Sequence, residues 1–460
     1  MLFEFPKDQE GFSPLVCGAL KYLWHPEAFL SRNGAKYALE RLWNLVANKT
    51  DWIGAPLVNF TAISLQQVEK VFENPENNLP WVELSQFLPS GVKLDLDTSS
   101  LPAVFASENK LHYFGNGNFP LDLVAATFLF LTRWEEWKYP TRTALSILDE
   151  ASLFAVRQKF HERPLLDEWG LVIRKWLEIT SPNWQIKQGA FNLRITHDID
   201  HVKYFKKSID IIKGFARGYF IEKSLFRAAE NLFTGFNSFS NFKLDPYFKS
   251  FQQLLNLNKK FGAAGTFYFM GAERSIVDDG YRLDLPPASE MWKQALDQGH
   301  RVGWHISQKA ALQKKTCIQE WERVCKIFSN LPEYSRHHYL AWQGPVSWRF
   351  LEEIGVKEDS SLGFNEFVGF RSSTSKPYPA FDLEKDRCLS ITELPLVIQD
   401  GVIFKSHREL GPEIAAKKVG IIENRIKKVG GTLTILIHNS FETYLIKPFY
   451  ECFKCVGEKN

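Results

Sequence analysis

The chain has 460 residues, more than one hydrophobic core usually supports, so two domains or one large barrel with an appendage are expected. Its 45% apolar and 24% charged residues, with 38 Phe and 14 Trp as bulky packing groups, belong to an ordinary globular protein and exclude a chain dominated by disorder. A net charge of +3 is too weak a field for a dedicated nucleic-acid binder, yet leaves an anionic sugar open as a partner.

At the start, Met1 to Pro6 carry no basic segment followed by an apolar stretch. The longest apolar run, Leu123 to Leu131, is interrupted by Thr127 and too short to span a bilayer. A cytoplasmic protein without an integral membrane segment is expected. Cys17, Cys317, Cys325, Cys388, Cys452 and Cys455 are too scattered for a disulfide framework and fit reduced thiols. Cys452 and Cys455 have the spacing of half a zinc ribbon, but no second pair follows, and two free thiols are the simpler reading.

From residue 1 to about 180, helical periodicity at 35–46 and 165–179 alternates with turn-rich pieces at 89–91 and 115–117, and no catalytic cluster stands out. Residues 179–190, with Ser181, Pro182, Gly189 and Ala190, break the helical pattern. They divide an N-terminal accessory α/β domain, 1–185, from a second domain, 186–460. There the order becomes short apolar strands, at 191–196, 265–270, 301–305 and 432–438, separated by long amphipathic helices. That is the pattern of parallel strands with helical crossovers, whose C-terminal ends share one face. Asp198, Asp200, His305 with Ser307, and His438 with Asn439 would converge there.

Between the first two of these strands, residues 202–250 form a Phe-rich insertion with nine Lys or Arg against four Asp or Glu. It can rim a cleft or touch a membrane surface, although helices that cover the barrel and turn a basic face to solvent are the commoner case. If 195–200 is extended, Asp198 and Asp200 point to one side while His197 and Ile199 face the other. Two carboxylates sharing a site can divide labour, one binding a divalent cation and the other accepting a proton.

Thr196-His197-Asp198-Ile199-Asp200 resembles the first motif of a polysaccharide-deacetylase subgroup (carbohydrate esterase family 4-like, NodB-type), in which Thr-His-Asp-Val-Asp replaces the usual Thr-Phe-Asp-Asp. The segments 265–269, 299–305, Arg336-His337-His338-Tyr339-Leu340, 359–364, Gly369-Phe370-Arg371, 393–396 and 436–440 resemble later motifs of that family, in its order. Residues 130–137 and 163–169 are similar to the N-terminal module that accompanies the subgroup; on their own they read as a charged helix end and an amphipathic helix start.

The resemblance implies a distorted (β/α) barrel of the polysaccharide-deacetylase type preceded by a smaller α/β N-terminal domain. It makes Asp198 the general base, Asp200 and His305 ligands of a divalent metal, zinc first, and His438 the proton donor to the leaving amine. Arg371 can hold a carboxylate, a phosphate or Asp198, and orienting Asp198 is the role the resemblance favours; from the residues themselves, Glu393 can ion-pair with Arg371, and Asp359 can cap a turn or line the cleft. One departure stands at the metal. Where the family places a second His four residues after the first, this chain has Lys309, whose ammonium cannot ligate and would repel a cation. Three explanations follow: a replacement ligand, with His338 preferred over His197; a two-ligand site completed by water or substrate; or a metal-free descendant.

The expected activity is removal of an acyl group, acetyl first, from an amino-sugar-containing small molecule or glycan during glycan or envelope-polymer assembly. The rival is a non-catalytic carbohydrate-binding or assembly protein that has lost its metal, with hydrolysis of a non-sugar amide a third idea. The oligomeric state is not legible.

Overall fold

Apolar side chains collect into two main cores. The first runs from Leu15 to Leu177 and takes in Tyr378 and Phe381; the second runs from Ile199 to Ile437. The computed structural model describes residues 2–4, 13–47, 52, 54, 57–73, 79–106, 117–143, 147–184, 189–221, 223–272, 275, 278–328, 332–403 and 412–440. Cys452 and Cys455, and most of the turn at 115–117, lie outside them.

In the first half, β1 (Leu2–Glu4), β2 (Ser13–Cys17), β3 (Leu20–Trp24) and β4 (Val58–Thr61) form a sheet in that order, antiparallel except for the β3–β4 pair. A second small pair joins β5 (Trp81–Glu83) to β6 (Ser100–Pro102). The apolar run noted above is the helix Leu123–Thr132, buried along its whole length and capped by Asp122, which accepts from the Ala125 amide at 2.9 Å. An all-round apolar helix of this length belongs in a core rather than a bilayer. Among the described residues, no helix is long and apolar enough to cross a membrane.

The second half is built on nine strands: β7 (Asn192–Ile199), β8 (Thr266–Met270), β9 (Arg301–Ile306), β10 (Tyr334–His337), β11 (Glu358–Asp359), β12 (Tyr378–Asp382), β13 (Arg387–Glu393), β14 (Ile398–Gln399) and β15 (Thr432–Leu436). Their order is β12-β13-β11-β10-β9-β8-β7-β15-β14, and every neighbouring pair is parallel except β12–β13. The expected barrel is therefore an open one: β12 and β14 end the sheet instead of pairing with each other.

Register decides what meets. Asp198 pairs across to Tyr268 and then Gly303, while Met270, His305 and Arg336 form the next row but one along the strands. A Cβ at Gly303 would lie 2.7 Å from the Tyr268 ring and from the Tyr334 carbonyl, so only glycine leaves room for that ring. The ring in turn carries the Arg336 guanidinium at 4.6 Å from its centroid.

The two halves are joined by buried polar contacts onto residues 365–375. Glu136 receives Arg371 through both oxygens, at 2.9 and 2.6 Å, and Arg133 at 2.8 Å. Asp167 accepts from Thr374 Oγ1, the Ser375 amide and Ser375 Oγ at 2.6, 2.8 and 2.7 Å. Glu150 accepts from the Asn365 and Glu366 amides, and the His161 carbonyl from the Phe370 amide at 2.7 Å. At Gly369, φ is +140° and a Cβ would sit 2.2 Å from the His161 carbonyl oxygen, so this approach also requires glycine. β12 contributes apolar cement: Phe381 lies 4.9 Å from the Tyr37 ring and 5.3 Å from the Phe128 ring.

The segments 130–137 and 163–169 do contain a helix end and a helix start, but their charges are turned inward: Arg133, Glu136, Asp167 and Glu168 are all buried. Two other expectations are revised. Arg371 does not orient Asp198, because its fork is taken up by Glu136 and the Gly363 carbonyl. Nor does Glu393 pair with it; Glu393 accepts from Trp348 Nε1 and the Leu362 amide.

Burial alone would raise the Glu136 carboxyl, but Arg371 and Arg133 outweigh it and lower the pKa from 4.5 to about 2. A depressed acid stabilises the fold above its unfolded pKa, and that contribution disappears as pH falls through the folded value. Glu136→Gln leaves two buried guanidinium groups uncompensated and should cost about 3–5 kcal/mol at neutral pH. In urea unfolding, the gap between parent and variant should narrow as the pH is lowered from about 4.5 to 2.

Candidate metal centre

Asp200, one residue beyond β7, lies at the C-terminal edge of the sheet with His305 near the end of β9, His338 just after β10, and His438 beyond β15. His338 and His438 follow strands four places apart in sheet order, about 19 Å on a flat sheet. Yet their Nε2 atoms lie 3.9 and 3.6 Å from Asp200 oxygens, which requires the sheet to curl around this point.

One ligand atom from each of Asp200, His305 and His338 falls within 4.8 Å of the others. The tautomers follow from what holds each ring. His305 Nδ1 donates to the Arg336 carbonyl at 3.0 Å, and His338 Nδ1 to Asp278 Oδ1 at 2.8 Å, leaving both Nε2 lone pairs turned to the site. His305 Nε2 then faces Asp200 Oδ1 at 3.1 Å, and both atoms are buried without a hydrogen-bond partner. Two lone pairs that close repel unless a proton or a cation lies between them. The donor set of one carboxylate and two imidazoles suits a divalent ion such as zinc, and its fit is supported by those orphaned atoms.

The charge on Asp200 agrees. Burial would raise its pKa, but His338, His305 and His438 hold it well below the ordinary carboxylate range, so it is ionised at neutral pH. Asp278 locks His338 and also accepts the Gln308 amide at 2.9 Å, the outer-shell carboxylate common to metal-ligating histidines. Tyr339 covers the other side of His338, its ring stacked at 4.0 Å, and sits in left-handed backbone at φ 55°. Sparsely populated conformations of this kind gather at functional sites.

Asp198 is buried beside the cluster. Arg336 Nη1 donates to its Oδ1 at 3.0 Å and to Thr196 Oγ1 at 2.8 Å, while Oδ2 lies 3.8 Å from His305 Nε2. The guanidinium on Asp198 thus comes from Arg336 instead of Arg371, and is steadied by Ser360, whose carbonyl and hydroxyl accept from it at 2.7 Å each. Asp359 neither caps a turn nor lines the cleft; it is buried and accepts from the Ser335 and Ser361 hydroxyls.

On the opposite side, Asp400 clamps His438, accepting its Nδ1–H and its backbone amide at 2.7 Å each. Burial would depress this imidazole, but Asp400 and Asp200 raise its pKa to about 10. His197 faces away, its Nδ1 donating to the Ile437 carbonyl and its Nε2 accepting from Asn258; burial pushes its pKa down to about 4.

Lys309 does not enter the site. Its side chain is exposed on the short helix Gln308–Leu312, which Ser307 caps by accepting from the Ala310 amide at 3.0 Å. The imidazole missing from that helix is matched by one from the β10 end. Three supporting residues carried no assigned role in the sequence reading: Arg336, Asp278 and Asp400. Arg336 stood in a quoted motif; Asp278 lies in a loop and Asp400 at the start of a helical stretch after β14, neither with a motif of its own.

Comparisons with known proteins add the following. A family of unknown function, DUF7033, matches residues 36–182. No curated protein matches the sequence. Among solved structures, a protein assigned as a polysaccharide deacetylase from Mycobacterium smegmatis is similar at 13% identity and a TM-score of 0.36, over 60% of this chain and 87% of its own. The polysaccharide deacetylase Bc1974 from Bacillus cereus is similar at 13% identity and a TM-score of 0.29, over 58% of this chain and 88% of its own. At that distance neither neighbour assigns a substrate or a residue role to this chain.

Metal titration checks the centre. Chelator-treated protein should take up about one zinc per chain, Asp200→Ala and His305→Ala should take up none, and Lys309→Ala should match the parent. Asp278→Asn, which weakens the clamp on His338 without removing a candidate ligand, should weaken affinity by about 10- to 100-fold.

Proposed function

We propose that this chain is a metal-dependent amide hydrolase that removes an acyl group, acetyl foremost, from an amino-sugar substrate in glycan or envelope-polymer assembly. The observation that carries the reading is a base-and-acid pair flanking the three-donor cluster: Asp198, held by Arg336, on one side and His438, held by Asp400, on the other. A hydrolysis needs both a group that takes a proton from water and one that returns a proton to the leaving amine.

Asp200, His305 and His338 would hold the ion, which when bound polarises the amide carbonyl and makes water a better nucleophile. Arg336 fixes Asp198 through Oδ1, leaving Oδ2 to accept the proton of the attacking water. The buried setting of Asp198 and His305, with Asp200 mostly covered, limits access of bulk solvent and strengthens each charge interaction. Asp400 keeps His438 Nδ1 protonated and turns Nε2 to the site, where it gives its proton to the amine as the C–N bond breaks. The rival reading of a binding protein that has lost its metal rested on Lys309, and the exposure of that side chain removes its main support.

The test is deacetylation of N-acetylated amino-sugar substrates by the zinc-loaded protein. Asp198→Asn should lower kcat by about 10²- to 10⁴-fold while metal uptake stays at the parent level, and His438→Gln should fall in the same range. No Asp198-dependent acetate release across such substrates from fully loaded protein would overturn the reading.

A further inference from the structure

We infer that the helical hairpin formed by residues 208–240 is a membrane-docking element that seats its apolar outer face in the headgroup region of an anionic lipid bilayer. The hairpin consists of the helix Ser208–Ala216, a π-helical turn Arg217–Ile221 and the helix Leu225–Ser240. Its packing is inverted relative to a helix pair in water. The seam between the two helices is made of Ile211, Gly214, Gly218, Ala228, Gly235 and Ser238, all buried. A Cβ at Gly218 would meet the Ala228 amide nitrogen at 2.6 Å, and one at Gly235 would meet Ile211 at 2.8 Å, so this contact leaves no space for a larger residue.

The large apolar side chains point outward instead. Phe220, Ile221, Leu225 and Phe226, on either side of the turn, are 71%, 74%, 71% and 76% exposed, and Phe233 and Phe236 continue the apolar surface at 73% and 65%. A surface helix in water turns its Phe and Leu inward and its small polar residues outward. Close packing through small residues with bulky apolar groups outside is the arrangement of helices in lipid. An exposed apolar surface of this extent on a folded chain marks an interaction site.

Charge selects the occupant. The segment 202–250 holds nine Lys or Arg against four Asp or Glu. Some of this charge is paired, Lys206 with Asp279, Arg227 with Glu230 and Lys243 with Glu290, while Asp210 and Asp245 accept backbone amides and keep their charge. The segment stays net positive beside an apolar tip, which suits anionic headgroups above acyl chains. A second copy of the chain would bring the same basic residues against themselves across a two-fold axis. A seven-residue connection, 201–207, joins Asp200 to the hairpin, with Phe205 packed at Gly214, so a docked hairpin holds the candidate site close to the membrane surface.

Vesicle flotation of the full chain tests this, and does not depend on the activity proposed above. With vesicles of phosphatidylcholine containing about 30 mol% phosphatidylglycerol, the parent should float, and it should float far less with phosphatidylcholine alone or in high salt. F226S/F233S should reduce bound protein by about tenfold or more, and K207E/K213E should abolish the preference for anionic vesicles. Zinc uptake equal to the parent's shows that each variant is folded. Parent protein that stays in the aqueous fraction with both vesicle types, or folded F226S/F233S that floats as the parent does, overturns the inference. So does a parent dimer that F226S/F233S turns into a monomer without any vesicle binding, since a second copy would then cover the face.

Discussion

A mostly buried carboxylate, its side chain only 13% exposed, is the constraint around which the second half of the chain is arranged. Asp200 is ionised although burial disfavours its charge, and an unpaired ion in such a place would cost several kcal/mol. The compensation comes from three imidazoles on three separate strands, which can meet only because the parallel sheet curls. Each ring is then fixed from behind by a different acceptor: the Arg336 carbonyl for His305, Asp278 for His338 and Asp400 for His438. Acceptor charge alone does not separate the rings, since a carboxylate also holds His338; what sets His438 apart is that Asp400 and Asp200 together raise its pKa to about 10, which suits it to donation.

The first half of the chain supports this edge from the side. Residues 365–375 would be a long polar loop on the sheet's rim if left alone. Glu136, Glu150, Asp167 and the His161 carbonyl take up its donors, which converts it into a buried wall. Arg371 also donates to the Gly363 carbonyl, and three residues before Gly363 stands Ser360, which holds the guanidinium of Arg336. The path from Glu136 to Asp198 is thus a sequence of buried, directional contacts. It gives the N-terminal half a physical link to the site without placing any of its side chains there.

Much of the site was legible in the sequence, for a geometric reason. Alternation along an extended segment puts Asp198 and Asp200 on one side and His197 on the other, and parallel strands bring His305 and His438 to the same edge. What alternation cannot supply is register. Arg336 and Arg371 both follow plausible motifs, and only the pairing of β9 with β10, which sets His305 beside Arg336, decides which guanidinium reaches Asp198. Asp278 and Asp400 were invisible because a lone carboxylate, in a loop or at a helix start, belongs to no periodic pattern, and its partner is defined only by the fold. His338 was readable as a reserve ligand because Lys309 left a place unfilled, although its clamp by Asp278 was not. The buried charges at 130–137 and 163–169 escaped for a related reason: a charged helix segment in sequence reads as solvated unless the opposing acceptors are known.

The insertion at 202–250 carries the same lesson in reverse. Its helical period was plain, but a period does not say which side of a helix is inside, and covering helices with a basic face were the expected outcome. The deciding signal was the spacing of small residues. Gly214 on one helix, Gly218 in the turn, and Ala228 and Gly235 on the other helix can pack only if the helices approach closely, and that approach drives every Phe between them outward. An exposed aromatic surface is an aggregation liability for a chain that stays in water. Here it follows the strand that runs up to Asp200, so a carboxylate of the candidate site and the most exposed apolar side chains among the described residues lie within one stretch of chain. A cover for the barrel would not need to expose its aromatic residues, whereas an element that brings a shielded polar site to an apolar phase does.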